Sequence, residues 1–219
     1  GESTISEVID SKDVWSEYLS PSLDIYWNRK LSDKHELSVN FVATSYDTKS
    51  RKGFHEYDGA SPLISSVSLT DGRKYSGIFE AVDDWRISEK HKLSFGLRSM
   101  ANYSDQSSRN GDIHVQSEIN TCLNRLWGEY SGNLGGFSYS LGAAVEHYGY
   151  GTNESSRKDY LYLRPLVQLN YTFNDHSSMY LNYSSSVETP KIGWLGTASY
   201  LRDDKWLSTS NSELESYTT

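Results

Sequence analysis

Histidine is the first residue type in this chain whose spacing could support chemistry. The sequence has six histidines, and His35, His91 and His176 occupy equivalent places in three short polar turns. Zinc ligands must come within about 2 Å of one ion, whereas neighbouring hairpins of a sheet lie roughly 10 Å apart. The remaining histidines fall in or near long polar segments without metal-ligand spacing. We therefore expect solvated turn residues, no metal site and no cofactor.

Paired carboxylates are the second candidate for chemistry. Glu80 with Asp83 or Asp84, or Glu129 with Glu146, could in principle act as the acid and base of a glycosidase, which needs two carboxyls about 5–10 Å apart around a cleft. Glu129 and Glu146, however, alternate with the apolar residues of their strands and should line a polar surface. The sequence contains no nucleophile elbow, phosphate loop or dinucleotide fingerprint. It predicts no enzyme and no catalytic residue.

Aromatic residues in the last polar segment are the third candidate. Trp194, Tyr200 and Trp206 follow Pro190 in a stretch without regular alternation. Exposed aromatic side chains can stack on sugar rings or rigid ligands, and binding residues are often found on loops. The same side chains can instead fold a long loop onto itself. They are the candidate ligand-binding residues of this sequence.

Composition limits the classes of protein that can position these residues. The formal net charge is −8, and no basic patch interleaved with aromatics is present, so we expect no nucleic-acid partner. Mean hydropathy is −0.65, and no apolar run approaches the roughly eighteen residues of a membrane helix. The single cysteine, Cys122, excludes an internal disulfide framework. Seventeen tyrosines and six tryptophans favour β structure.

The elements themselves are indicated by a turn that occurs three times, at residues 31–38, 87–94 and, more loosely, 173–180. Each copy separates two runs with period-2 alternation, such as Leu23, Ile25 and Trp27 before the first turn. Long polar stretches at 47–74, 104–121 and 149–159 separate the hairpins, although 113–115 could be a short strand. Short turns at one end of a sheet and long loops at the other are typical of a transmembrane β-barrel.

The sequence thus predicts an all-β fold, an antiparallel up-and-down meander of about eight strands. We expect one β-barrel segment over residues 1–219: a loop or partial strand at 1–17, four hairpins at 18–189, and a long loop at 190–219 leading to the next strand. Strands of about ten residues, tilted by about 45°, span a bilayer core. Trp27 and Trp85 would lie in an interfacial girdle. Asp83 and Asp84 point to opposite faces, so one of them must face lipid, at a bulge or near the interface.

Three stretches, residues 127–142, 163–176 and 181–190, resemble the barrel wall of TonB-dependent outer-membrane receptors, in particular the β-barrel group common in Bacteroidetes. Two positions depart from the family pattern: Thr189 stands where Arg is typical, and Ser212 where Pro is usual. The resemblance implies a fragment of a twenty-two-stranded barrel in the outer membrane of a Gram-negative bacterium. It also implies import of a scarce ligand (a glycan, siderophore or peptide), with outer-membrane lipid, a plug domain, the remaining strands and the TonB complex as partners of the parent protein.

Two alternatives to this interpretation remain open from the residues alone. A soluble β-rich binding or adhesion module would use the same alternation to pack two apolar faces as a sandwich. A complete eight-stranded barrel is the other, although the chain lacks a terminal aromatic residue. If the chain is a slice of a larger wall, its two free edges and its apolar face should make the isolated fragment self-associate.

Overall fold

The computed structural model describes residues 8–58, 61–153, 155–190, 200–201, 207–208, 215 and 217–218. Most of them form one antiparallel sheet of nine strands. The strands are β1 (Val8–Leu19), β2 (Ser22–Ser32), β3 (His35–Asp58), β4 (Ser61–Ser88), β5 (His91–Asn110), β6 (Ile113–Leu134), β7 (Phe137–Thr152), β8 (Lys158–Asn174) and β9 (Ser177–Ser184). Two short pairs follow, β10 (Val187–Glu188) with β13 (Tyr217–Thr218), and β11 (Tyr200–Leu201) with β12 (Leu207–Ser208). None of the described residues forms a helix long and apolar enough to cross a membrane.

The first two strands occupy a single position in the sheet. Both pair antiparallel with β3, β1 with its second half and β2 with its first half. They are separated by Ser20 and Pro21, where proline has no N–H to donate to the ladder. The Pro21 carbonyl still accepts a hydrogen bond from Ser45 N at 3.1 Å. The sheet therefore has eight strand positions in chain order, which confirms the predicted all-β antiparallel meander.

The three repeated turns share one local geometry. In each turn, the β pairing shifts register at one residue, and the next residue carries a side-chain oxygen. That oxygen accepts a hydrogen bond from the backbone N–H of the residue two positions later. The bonds are Lys34 N to Ser32 Oγ at 3.2 Å, Lys90 N to Ser88 Oγ at 3.3 Å, and His176 N to Asn174 Oδ1 at 2.9 Å. The remaining turn at this end contains Gly135 with φ +66°, a conformation that favours glycine. The repeated sequence thus encodes a repeated hairpin.

The segments predicted as long irregular loops are largely strand. Residues 47–58 and 61–74 continue β3 and β4 as a paired extension, and 104–110 and 113–121 do the same for β5 and β6. The turn between β5 and β6 is only Gly111 and Asp112. In the 149–159 stretch, residues 153–157 lie outside β7 and β8. The prediction of irregular structure was wrong because the alternation fades where neither face of a strand meets lipid.

The two faces of the sheet have different chemistry. On β7, Ser140, Ala144 and Glu146 are buried, whereas the intervening Leu141 and Val145 are exposed. The outward positions form an apolar belt, which includes Leu23, Ile25, Phe41, Phe79, Phe95, Leu97, Leu126, Leu141, Val145, Leu161 and Leu163. Leu161 and Leu163 are 73% and 71% exposed. The described residues therefore do not form the sandwich that a soluble module requires. The belt ends at His147 on β7 and Asp159 on β8, where the outer face becomes polar.

Candidate functional site

The most buried part of the chain is an aromatic patch on the inner face, at the end opposite the repeated turns. Tyr150 is only 1% exposed, and its ring stacks on Tyr160 at a centroid distance of 6.3 Å. Tyr148 and Tyr162 flank this pair, with centroid distances of 5.8 Å (Tyr148–Tyr150) and 6.2 Å (Tyr160–Tyr162). Alternate residues of paired strands share a face, so β7 and β8 bring the four rings together. We call Tyr148, Tyr150, Tyr160 and Tyr162 the tyrosine cluster.

A segment after β9 lies against this cluster. We call residues 185–190 the return segment. The Tyr148 hydroxyl donates to the Pro190 carbonyl at 3.3 Å, and Arg164 Nε donates to the Ser185 carbonyl at 3.1 Å. Burial raises the pKa of Tyr148 to about 12, and burial likewise raises the pKa of Tyr160 to about 12. Both tyrosines lie beyond the apolar belt, and both hydroxyls remain protonated at neutral pH.

Below the tyrosine cluster, a row of charged side chains crosses four neighbouring strands. Glu80 (β4), Arg98 (β5), Arg125 (β6) and Glu146 (β7) are successive register partners on the inner face, and we call them the charged row. Arg98 Nη1 lies 3.7 Å from Glu80 Oε2. Glu146, 4% exposed, instead accepts a hydrogen bond from Arg164 Nη1 at 2.9 Å. The Arg125 guanidinium lies 5.4 Å from the centroid of the Trp127 ring.

Trp127 is held in place by a glycine on the neighbouring strand. A Cβ on Gly96 would lie 2.0 Å from the indole Cζ2, so the ring covers the position that a side chain would occupy. Gly96 and Trp127 are register partners of β5 and β6. The ring therefore lies flat on the inner face beside Arg125.

The repeated turns place polar groups at the rim of the outer face. His35 Nε2 lies 2.5 Å from Asp83 Oδ1, next to the Trp85 ring. His91 Nδ1 lies 3.1 Å from the Tyr130 hydroxyl and 3.0 Å from the Tyr139 hydroxyl. Aromatic and polar groups of this kind are typical of an interfacial girdle.

The structure shows on which face of the sheet each of the two adjacent aspartates lies. Asp83 lies on the outer face at the rim, whereas Asp84 lies on the inner face and bonds Lys92 Nζ at 3.0 Å and Ser94 Oγ at 2.6 Å. Pairing continues through both residues without a bulge. A carboxylate near the interface costs less than one at mid-bilayer, so the rim position accounts for Asp83.

The histidine prediction needs a correction. His35 and His91 begin strands β3 and β5, but His176 lies within its turn, one position earlier, so the three places are not equivalent. The first two contact neighbouring strands instead of remaining free turn residues. Among the described residues, no three His, Cys, Asp or Glu side chains converge on a point where a metal ion could bind.

The remaining candidates have different outcomes. Glu129 accepts a hydrogen bond from Ser140 Oγ at 2.5 Å, and Glu146 is bonded to Arg164, so the two glutamates have separate partners. Trp194 and Trp206 lie outside the described residues. Tyr200 is described only as the first residue of β11. The aromatic ligand-binding prediction therefore remains a prediction.

A polar cluster at the outer end of the belt was missed by sequence reasoning. Arg157 Nε lies 3.0 Å from Asp159 Oδ2, and His147 Nε2 lies 2.9 Å from Asp159 Oδ1. The hydrogen bond from Arg157 lowers the pKa of Asp159. Arg157 Nη2 also lies 3.3 Å from Cys122 Sγ. The residues come from three strands and the loop before β8, so only the register of the sheet reveals them.

A single curved sheet with an exposed apolar belt, an interfacial girdle and a polar inner face defines the wall of a transmembrane β-barrel. The chain belongs to the outer membrane protein beta-barrel family, whose model matches residues 29–219. It is a protein of the outer membrane of a Gram-negative bacterium. No curated protein sequence matches the chain.

Solved structures with the same fold are receptor and transporter barrels. FpvA of P. aeruginosa bound to a heterologous pyoverdine has a TM-score of 0.65 at 14% identity, with 80% of this chain and 27% of FpvA covered. The unliganded ferric citrate transporter FecA has a TM-score of 0.58 at 15% identity, with 80% and 28% covered. BauA, the ferric preacinetobactin receptor of Acinetobacter baumannii, has a TM-score of 0.57 at 12% identity, with 78% and 31% covered. The chain thus spans about three tenths of these proteins.

Proposed function

We propose that this chain is part of the barrel wall of a TonB-dependent outer-membrane receptor that imports a scarce ligand without catalysis. The observation that carries the proposal is one sheet with an exposed apolar belt outside, a polar and aromatic surface inside, and a fold like that of receptor barrels. Among the described residues, neither β2 nor β9 has a second neighbour. The remaining strands of a larger barrel would complete both edges.

The proposal also specifies the surroundings and partners of this barrel segment in the parent protein. Residues 1–219 form a single barrel segment, lipid covers the belt, and a plug domain fills the interior against the inner face. The TonB complex supplies energy through that plug. The Bacteroidetes-type assignment rests on the resemblance of the sequence. An isolated fragment, with both edges and the belt uncovered, self-associates.

The ligand is a glycan, siderophore or peptide, and Trp194, Tyr200 and Trp206 are its proposed contacts. Support comes from the return segment, because Tyr148 holds Pro190 against the inner face. Pro190 therefore lies on the lumenal side of the wall. The proposal is that the aromatic side chains after it in the sequence contact a ligand that enters the barrel.

The test is uptake by the natural host strain with the intact gene deleted and restored. We expect the deletion to abolish uptake of one ligand from a panel of ferric siderophores, oligosaccharides and peptides, and we expect a strain without TonB to behave the same way. A triple W194A/Y200A/W206A variant should lower uptake at unchanged protein level in the membrane. Normal uptake of the whole panel by the deletion strain, or uptake that does not need TonB, would contradict the proposal.

A further inference from the structure

The charged row and the adjacent Arg164 together contain more positive than negative groups. Arg98, Arg125 and the adjacent Arg164 supply three guanidinium groups, whereas Glu80 and Glu146 supply two carboxylates. Glu146 is bonded to Arg164, and Glu80 lies near Arg98. Among the described residues, Arg125 is thus the one of these three cations that makes no ion pair, although Glu146 is its register partner on β7.

We propose that Arg125, with Arg98 beside it, forms an oxyanion-binding site on the inner face, which takes a carboxylate or phosphate group. Arg125 Nε is buried and has no hydrogen-bond partner among the described residues. A buried donor that is left unpaired destabilises the folded state. A group that accepts from this nitrogen removes that cost.

Like charges on neighbouring strands give the second reason for an anion. Arg98 and Arg125 are direct register partners, and directly opposed side chains in an antiparallel pair have Cβ atoms about 5 Å apart. Like charges directly opposite each other in a sheet are destabilising. One oxyanion placed between them converts the repulsion into two attractive contacts.

The surroundings of the row strengthen any such contact. The next inward position toward the tyrosine cluster is Met100 on β5 and Leu123 on β6, and the next toward the turns is Gly96 and Trp127. All four are buried or half-buried. Charge-assisted hydrogen bonds are stronger in such apolar surroundings than in water.

The site is suited to an oxyanion that presents two oxygens on one side. A guanidinium presents parallel N–H donors that match carboxylate and phosphate oxygens two at a time. The Trp127 ring supports Arg125 by a cation–π contact, and Gly96 fixes the ring. The donor is therefore positioned before the anion arrives.

The anion has two possible sources with the same chemistry. It is either a side-chain carboxylate of a protein segment inside the barrel or a free oxyanion, which includes an anionic group on an imported ligand. The site depends on the proposed function only in that the inner face encloses a lumen. It is measured on purified protein without transport, so a failure of uptake and a failure of anion binding are separate results.

The first arm of the test is a cryo-EM structure of the intact natural protein in lipid nanodiscs, in phosphate-free buffer. If the source is the protein itself, we expect an oxygen of a side-chain carboxylate other than Glu80 or Glu146 within hydrogen-bond distance of the Arg125 guanidinium. The wild-type protein is used, so this arm does not depend on whether a variant folds.

The second arm is thermal unfolding of the same protein at increasing inorganic phosphate, for wild type, R125Q and R109Q. Arg109 is an exposed control whose Nε donates to the Gly111 carbonyl at the far end of the sheet. For a free oxyanion, saturating phosphate should raise the melting temperature of wild type and R109Q by about 2 °C or more, and R125Q should not respond. The proposal is overturned if no carboxylate other than Glu80 and Glu146 lies near Arg125 and R125Q and R109Q respond identically to phosphate.

Discussion

Gly96 is the described glycine at which an added Cβ would lie closest to a neighbouring atom. Because its missing Cβ is replaced by the Trp127 ring, Gly96→Ala forces the indole away from the inner face. We expect G96A to lower the free energy of unfolding by about 1–3 kcal/mol, the usual cost of overpacking. Gly77 is the matched control, because a Cβ there meets nothing within 4 Å. Urea unfolding followed by tryptophan fluorescence measures both variants, and equal stability of G96A and G77A would refute the close contact.

Two adjacent residues of β8 test the assignment of the faces. Val167 lies outward near the middle of the belt, and Gln168 lies inward, with both half-buried. An arginine facing lipid at the bilayer midplane costs about 2–4 kcal/mol, so V167R should fold poorly into lipid vesicles. Q168R should fold nearly as well as wild type because it faces the lumen. If Q168R were the more damaging change, the faces would be reversed.

Sequence reasoning predicted the orientation of some individual residues but not of others. It recognised that Asp83 and Asp84 point to opposite faces, which follows from the period of a strand. It could not predict which of the two faces lipid. That depends on the pairing with neighbouring strands, which places His35 beside Asp83 and Lys92 beside Asp84. The charged row was invisible for the same reason, since Arg98 and Arg125 become neighbours only through the register of β5 and β6.

The strands extend well beyond the apolar belt, and this can be measured. Residues 47–58 and 61–74 pair as a continuous hairpin apart from one register shift after Glu56. We therefore expect their amides to exchange hydrogen slowly, since each pairs across the ladder. Ser156 and Arg157, which lie outside β7 and β8, are the internal control and should exchange fast. Hydrogen-exchange mass spectrometry would contradict the extension if 47–58 exchanged as quickly as the control.

At the level of elements, the sequence predicted the hairpins better than their lengths. The belt strands alternate strictly because one face meets lipid and the other meets the polar lumen. Beyond the belt the outer face is polar as well, so a polar strand and a polar loop have similar compositions. Residues 104–121 show this, because only the Gly111 turn interrupts two strands of mixed polar residues.

The return segment should make stability sensitive to alkali. The pKa values of Tyr148 and Tyr160 are raised from 10 to about 12 in the folded protein, chiefly by burial. Unfolded tyrosines ionise first, so the folded state binds more protons and its stability falls as pH rises from 10 toward 12. Below pH 10 this contribution is fully present. We expect far-UV circular dichroism to show progressive alkaline unfolding.

The variants Y148F and Y160F test whether these two tyrosines cause the pH dependence of stability. Y148F also removes the hydrogen bond to Pro190, which should cost about 1 kcal/mol at neutral pH. Each variant should make the decline of stability between pH 10 and 12 shallower, and the double variant should be shallowest. An unchanged slope in the double variant would mean that other groups control the alkaline transition.

For the whole molecule, the overall architecture was the most predictable feature. Alternating faces and repeated two-residue turns were enough to predict an antiparallel meander of about eight strands. The tyrosine cluster and the return segment were not predictable, because they join β7, β8 and residues after β9 across the inner face. The wall of a membrane barrel needs both kinds of information: a periodic exterior for lipid and a specific interior for its contents.

The most direct test of the membrane wall is a nitroxide scan along β8, residues 161–172, of the protein in lipid vesicles. Cys122 is first replaced by serine, and each position is then labelled in turn. We predict that odd positions collide with oxygen dissolved in the bilayer and that even positions do not, with a period of two. If the odd positions were shielded from oxygen, as in the packed interior of a soluble sandwich, the membrane account would be wrong.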